Sequence, residues 1–160
     1  MLTLYLSAPI FSQSERRWNR LLAGHLTEAI KDCRVLLPQD ITVSGRFNDR
    51  RHFPIIFRQC MEWIREADII VAILDGQDVD SGVAFEVGYG YAIGKQIIGV
   101  RTDFRQNQER GVNVMLSRAC TSFLLEMSFG ENTEQLVRDL AGKIVAAIKS
   151  LKSGKQRGSS

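Results

Sequence analysis

Hydrophobic positions change their period along this chain, and the changes mark its elements. LTLYLSA, at residues 2–8, is apolar and rich in β-formers with little alternation, which predicts a parallel strand buried on both faces. Ser12-Gln13-Ser14-Glu15 has capping-box spacing and opens an amphipathic helix to about Lys31. Trp18, Leu21, Leu22, His25, Leu26 and Ile30 recur there at three- and four-residue steps, so His25 reads as a core or boundary residue rather than a ligand. CRVLLP (33–38) is a short second strand stopped by Pro38, and residues 39–53 form a polar loop with Gln39, Asp40, Asn48, Arg50 and Arg51. Pro54 suits a helix start, and Ile56, Cys60, Trp63 and Ile64 keep helical spacing to Ala67. ADIIVAILDG (67–76) is the strongest strand, apolar throughout. A loop (75–81), a helix (82–94), a strand QIIGVR (96–101), a long loop, a strand TSFLLE (121–126) and a helix from about Thr133 to Ile148 complete the pattern.

Strands alternating with helices imply right-handed crossovers, and hence an α/β, doubly wound, five-stranded parallel sheet with helices on both faces. Ligands of such sheets sit beyond the carboxyl ends of the strands. Function is therefore expected in Ser7–Phe11, Pro38–Arg51, Asp75–Ser81 and Arg101–Met115.

Composition narrows the partners. The chain has 160 residues, 44% of them hydrophobic and 24% charged, the balance of one ordinary globular domain. Its net charge of +3 equals the basic groups of the last ten residues, Lys152, Lys155 and Arg157, which leaves residues 1–150 neutral. Residues 1–150 are expected to form the domain and 151–160 a flexible, solvated tail. A neutral body gives no electrostatic reason to expect nucleic acid. Cys33, Cys60 and Cys120 are scattered, odd in number and without a CxxC pair, which argues for a reducing compartment and against a disulfide framework or a zinc site. No apolar run approaches the ~20 residues of a membrane helix, and no leader pattern precedes the first strand, so a cytoplasmic location is expected.

The candidate chemistry lies in LDGQDVDSGVAFEVGYGYAIGK, residues 74–95. Gly88, Gly90 and Gly94 have GxGxxxG spacing inside a helix, not the GxGxxG of a dinucleotide-binding turn. No P-loop, HExxH or GxSxG occurs. Asp75 and Asp80 have a structural reading as a turn residue and a helix cap. Glu86 has none as good, since Ala84, Phe85, Val87 and Gly88 flank it. Each helical glycine costs about 1 kcal/mol relative to alanine. Several together suggest close approach of a strand or a ligand, so the segment marks a site.

Four segments together, YLSAPIF (5–11), ADIIVAILDG (67–76), DSGVAFEVGYGYAIGK (80–95) and NVM (113–115), resemble the nucleoside 2-deoxyribosyltransferases, in the same order and over nearly all of the chain to about residue 150. The resemblance implies a flavodoxin-like three-layer sandwich. It also implies exchange of the base of a 2′-deoxyribonucleoside for another purine or pyrimidine through a covalent enzyme–sugar intermediate, without metal or cofactor. On it, Glu86 is the nucleophile, Tyr5 the hydroxyl that contacts it, and Asp80 the group at the sugar's hydroxymethyl end. Phe11 matches the aromatic wall for the base, and Gln39 a contact to the base edge. Ser7 and Gly82 lie in the same segments and are taken as substrate-binding. Asn113 and Met115 match residues contributed by a neighbouring subunit, which implies a homo-oligomer with shared sites. The partners implied are deoxyribonucleosides and free bases, not nucleic acid or membrane.

There is one departure. Many members carry an aspartate that handles the base's proton, eight residues before the acid preceding the third strand; counting back from Asp68 gives Cys60. A thiol with a reference pKa of about 8.5 is a poor replacement, and Asp75 is the candidate for the missing acid. Two other readings remain: an N-glycosidase hydrolysing a nucleoside or its monophosphate, and a non-catalytic nucleotide-binding module. The carboxylate at position 80 should repel a 5′-phosphate and so favours nucleosides.

Overall fold

The computed structural model describes residues 1–42, 50–105, 108–109, 111–128, 130 and 132–157. Residues 43–49, with Asn48 of the predicted polar loop, and residues 106, 107 and 110 of the loop after the fourth strand lie outside them. The elements run β1 (Leu2–Ser7), α1 (Gln13–Ala29), β2 (Cys33–Leu36), α2 (Phe53–Glu66), β3 (Ile69–Ile73), α3 (Ser81–Ala92), β4 (Gln96–Arg101), α4 (Val114–Ala119), β5 (Ser122–Leu125) and α5 (Thr133–Arg157). One sheet in the order β2-β1-β3-β4-β5, parallel throughout, confirms the predicted doubly wound fold. The winding reverses between β1 and β3, and there the carboxyl ends of the strands open a crevice.

Period-two geometry divides the core. Leu2, Leu4 and Leu6 of β1 and Ile69, Val71 and Ile73 of β3 pack on one face with Leu22 and Leu26 of α1 and Leu140 and Ile144 of α5. Tyr5, Ile70, Ala72 and Leu74 point the other way, into a second cluster with Met61 and Ile64 of α2 and Val83 and Val87 of α3. The helices are anchored as the sequence suggests at α1. Ser12 accepts from the Glu15 amide while the Glu15 carboxylate accepts from the Ser12 amide.

Two differences from the sequence reading have physical causes. The long loop after β4 contains a helix, α4, nucleated by Asn113, whose side chain accepts from the Met115 amide at 2.9 Å. And α5 does not end near Ile148: it continues to Arg157. Ile144, Ile148 and Leu151 recur at helical spacing, and Leu151 packs against the core cluster, drawing the helix onward. Among the described residues, no helix is long and apolar enough to cross a membrane.

Candidate active site

Tyr5 and Ser7 share a strand face by parity, and both meet α3. That helix starts at Asp80, whose Oδ1 accepts from the Gly82 amide at 2.9 Å and the Val83 amide at 3.0 Å. Val83, Val87 and Gly90 form its buried stripe. Glu86, one turn from Val83, hangs at the edge of that stripe with its carboxylate over the end of β1. The Tyr5 hydroxyl donates to Oε1 at 2.6 Å and the Ser7 hydroxyl to Oε2 at 2.5 Å. The apolar residues flanking Glu86 in sequence are therefore not its surroundings in space.

Burial raises the pKa of Glu86 from its ordinary value, the Ser7 and Tyr5 hydrogen bonds oppose that, and the like charge of Asp80 adds to it. The result is a half-buried carboxylate, held at both oxygens and more basic than one in water. Burial, reinforced by the carboxylate beside it, drives the Tyr5 hydroxyl far above its usual range, so it stays protonated and remains a donor. Burial pushes the Cys60 thiol up to about 11, opposed by the neighbouring Tyr5 hydroxyl and reinforced by the charge of Glu86. Tyr5 gives its one proton to Glu86.

These groups sit on a cavity of about 250 Å³ lined by Ala8, Ile10, Phe11, Pro38, Phe53, Ile56, Cys60, Asp80, Gly82, Val83 and Glu86. It is polar at the α3 end and apolar elsewhere. A larger hollow of about 490 Å³, lined by Asp32, Asp68, Gln96 and Lys152 among others, lies at the amino ends of the strands. The smaller cavity is the better candidate, because it lies at the carboxyl ends and holds the tethered carboxylate. Among the described residues no cluster of His, Cys, Asp and Glu could hold a metal ion.

The structure thus brings together Glu86, Tyr5, Ser7, Asp80, Gly82 and Phe11, the last 78% exposed at the rim. It does not bring Asp75 or Gln39 to them. Asp75 continues the parity of Ile69, Val71 and Ile73, and so lies on the α1 side of the sheet beside Pro9, Trp18 and Thr102. There its carboxylate accepts from the Thr102 amide and hydroxyl (2.6 and 2.5 Å) and the Asp103 amide (3.0 Å), clasping the end of β3 to the end of β4. Gln39 is turned to α1, donating to the Arg16 carbonyl at 3.0 Å and accepting from Asn19 at 3.3 Å. Asn113 and Met115 do not line the cavity of their own chain; Met115 is 76% exposed on α4.

Sequence reasoning missed the apolar wall of Ile10, Pro38, Phe53 and Ile56. Ile56 was visible as a helical core position, but its assignment to a cavity needed the packing of α2 against β1. Cys60 stands out in the sequence as a departure from the family pattern; its proximity to Tyr5 has no sequence signal.

The profile of one family, described as nucleoside 2-deoxyribosyltransferase, matches residues 4–115. No curated protein sequence matches the chain. Several solved structures are similar to it. A conserved protein from Enterococcus faecalis V583 is 23% identical, covering 89% of this chain and 99% of its own with a TM-score of 0.70. A 2-deoxyribosyltransferase from Bacillus psychrosaccharolyticus is 20% identical, covering 84% and 90% with a TM-score of 0.62. Another from Leishmania mexicana is 24% identical, covering 77% and 90% with a TM-score of 0.61. At these identities the structures speak for the fold.

Proposed function

Since the chain belongs to the nucleoside 2-deoxyribosyltransferase family, we propose that it moves the 2-deoxyribosyl group of a deoxyribonucleoside to another base through an ester of Glu86. The observation that carries this reading is the suspension of one carboxylate between two hydroxyl donors, Tyr5 and Ser7, at the edge of a largely apolar cavity. Cleavage of the C1′–N bond develops oxocarbenium character at the sugar. An ionised Glu86 stabilises that charge and then captures C1′. The two donors keep it ionised and aimed despite partial burial. This chemistry asks for no metal or cofactor.

Asp80 caps α3 through Oδ1 alone, which leaves Oδ2 to accept from the sugar's 5′-hydroxyl. The wall of Ile10, Phe11, Phe53 and Ile56 holds the base and keeps water from the ester, so that a second base completes the exchange. Asn113 and Met115 complete the site of a neighbouring copy. Their position on a short helix with Val114 49% and Met115 76% exposed supports this.

The test is an exchange assay with and without an acceptor base, on the wild type and on Asp80→Asn. The wild type should form the new nucleoside when the acceptor is present and release free sugar slowly when it is absent. It should prefer the nucleoside to its 5′-monophosphate by about a hundredfold or more, because a like-charge pair at ~4 Å and an effective dielectric of about 20 costs on the order of 4 kcal/mol. Asparagine caps as well as aspartate, so Asp80→Asn should fold normally and narrow that preference. Rapid release of sugar with no exchange, or an equal preference in both proteins, would favour a nucleotide-cleaving hydrolase instead.

A further inference from the structure

Breaking the bond from C1′ to the base sends the bonding electron pair to a ring nitrogen. The departing base must then either take up a proton or leave as an anion. Among the described residues the carboxyls of the cavity are Glu86 and Asp80. The first forms the new bond to C1′ and the second caps α3. The same cavity is lined by a thiol, Cys60, together with Glu86 and the apolar side chains of Phe53 and Ile56, and Tyr5 is its neighbour.

On the deoxyribosyl-transfer reading of Glu86, we infer that this pocket selects 2′-deoxynucleosides whose base is a good leaving group in its own right: an N–H-acidic, oxo-substituted base such as a 5-halouracil, rather than an amino base such as cytosine. An acid works best with a pKa near the operating pH. Burial pushes the Cys60 thiol to about 11, and the Tyr5 hydroxyl is higher still and committed to Glu86. Neither gives up its proton at neutral pH. The Oε–C1′ bond therefore forms as the C1′–N bond breaks, the base leaves carrying the electron pair, and it is protonated by water after release. Nothing is oxidised or reduced. By microscopic reversibility the acceptor attacks as its anion, so donor and acceptor come from the same class of acidic base.

The experiment is a leaving-group series of nearly constant shape: 5-fluoro-, 5-bromo-, unsubstituted and 5-methyl-2′-deoxyuridine, with 2′-deoxycytidine as the amino base. Wild-type kcat/KM should fall steeply with decreasing acidity of the base, by about tenfold to a hundredfold from the 5-fluoro to the 5-methyl member. Cys60→Asp, which puts a titratable carboxyl beside Tyr5, should compress the series to within about threefold and raise turnover of deoxycytidine. Cys60→Asn, similar in size but with no acidic proton, should leave it steep. A flat wild-type series overturns the inference, whether or not Cys60→Asp folds. So does compression by Cys60→Asn equal to that by Cys60→Asp, or a folded Cys60→Asp whose series stays steep. Absence of turnover even on the 5-fluoro substrate is a different result: it removes the transfer reading of Glu86, and this inference with it.

Discussion

Glu86 is governed by opposing influences whose removal has predictable signs. Burial and Asp80 raise its pKa, while Ser7 and Tyr5 lower it. Tyr5→Phe and Ser7→Ala each delete one donor, so each should move the acid limb of the kcat/KM profile to higher pH. Each should also lose about tenfold to a hundredfold of activity at neutral pH, in line with deletion of one preorganised donor. The same shift bears on stability. A carboxylate whose folded pKa exceeds its ordinary 4.5 favours the fold while protonated, and that contribution is lost as pH rises through the folded value. Glu86→Gln should therefore melt like the wild type below pH 4.5 and at higher temperature above the window, though inactive; thermal melts across pH read this directly. Much of this site was legible in the sequence. Tyr5 and Ser7 are two apart on a strand, and Glu86 was the one acid with no structural use among apolar neighbours. Asp75, two residues beyond β3, keeps the parity of Ile73 and is held by Thr102 and Asp103, partners from the end of β4 that its own segment does not reveal. The partners of Gln39 and Cys60 come from other elements and left no local trace.

At the scale of elements, α3 shows why a helix tolerates so many glycines. A Cβ at Gly90 would come within 2.3 Å of Cδ1 of the buried Ile70, so the helix lies directly on β3. Gly94 has a φ of +73°, where the helix stops. A Cβ at Gly88 meets nothing within 4 Å. Thermal or denaturant unfolding should accordingly separate the first from the last. Gly90→Ala should destabilise by about 1–3 kcal/mol through overpacking, whereas Gly88→Ala should stabilise by up to about 1 kcal/mol. The strands and long helices were readable because burial gives them sustained periods. Helix α4 was not: six residues, VMLSRA, carry less than two turns of pattern, and its signal was a cap, Asn113, that also matched a site residue. The end of α5 was hidden by its basic composition, which outweighed Leu151.

For the whole molecule, the proposal divides one site between two copies. Asn113→Ala and Glu86→Ala proteins, each inactive alone, should regain a measurable fraction of activity once mixed and allowed to exchange subunits, since hybrids then contain sites with neither lesion. No recovery despite demonstrated exchange would mean that each chain builds its own site. Exposed apolar side chains of α2, α3 and α4, Phe57 against Phe85 at 6.0 Å, Tyr91 and Met115, are where a second copy would bury surface. Everything else depends on Glu86 acting as nucleophile, and one measurement addresses that most directly. The enzyme is incubated with a 2′-deoxynucleoside in the absence of acceptor base, quenched in acid, and analysed by intact mass and peptide mapping. The account predicts one 2-deoxyribosyl unit on the peptide containing Glu86, and none on Glu86→Gln. Turnover by the wild type with the sugar on another residue, or with Glu86→Gln still active, would contradict it.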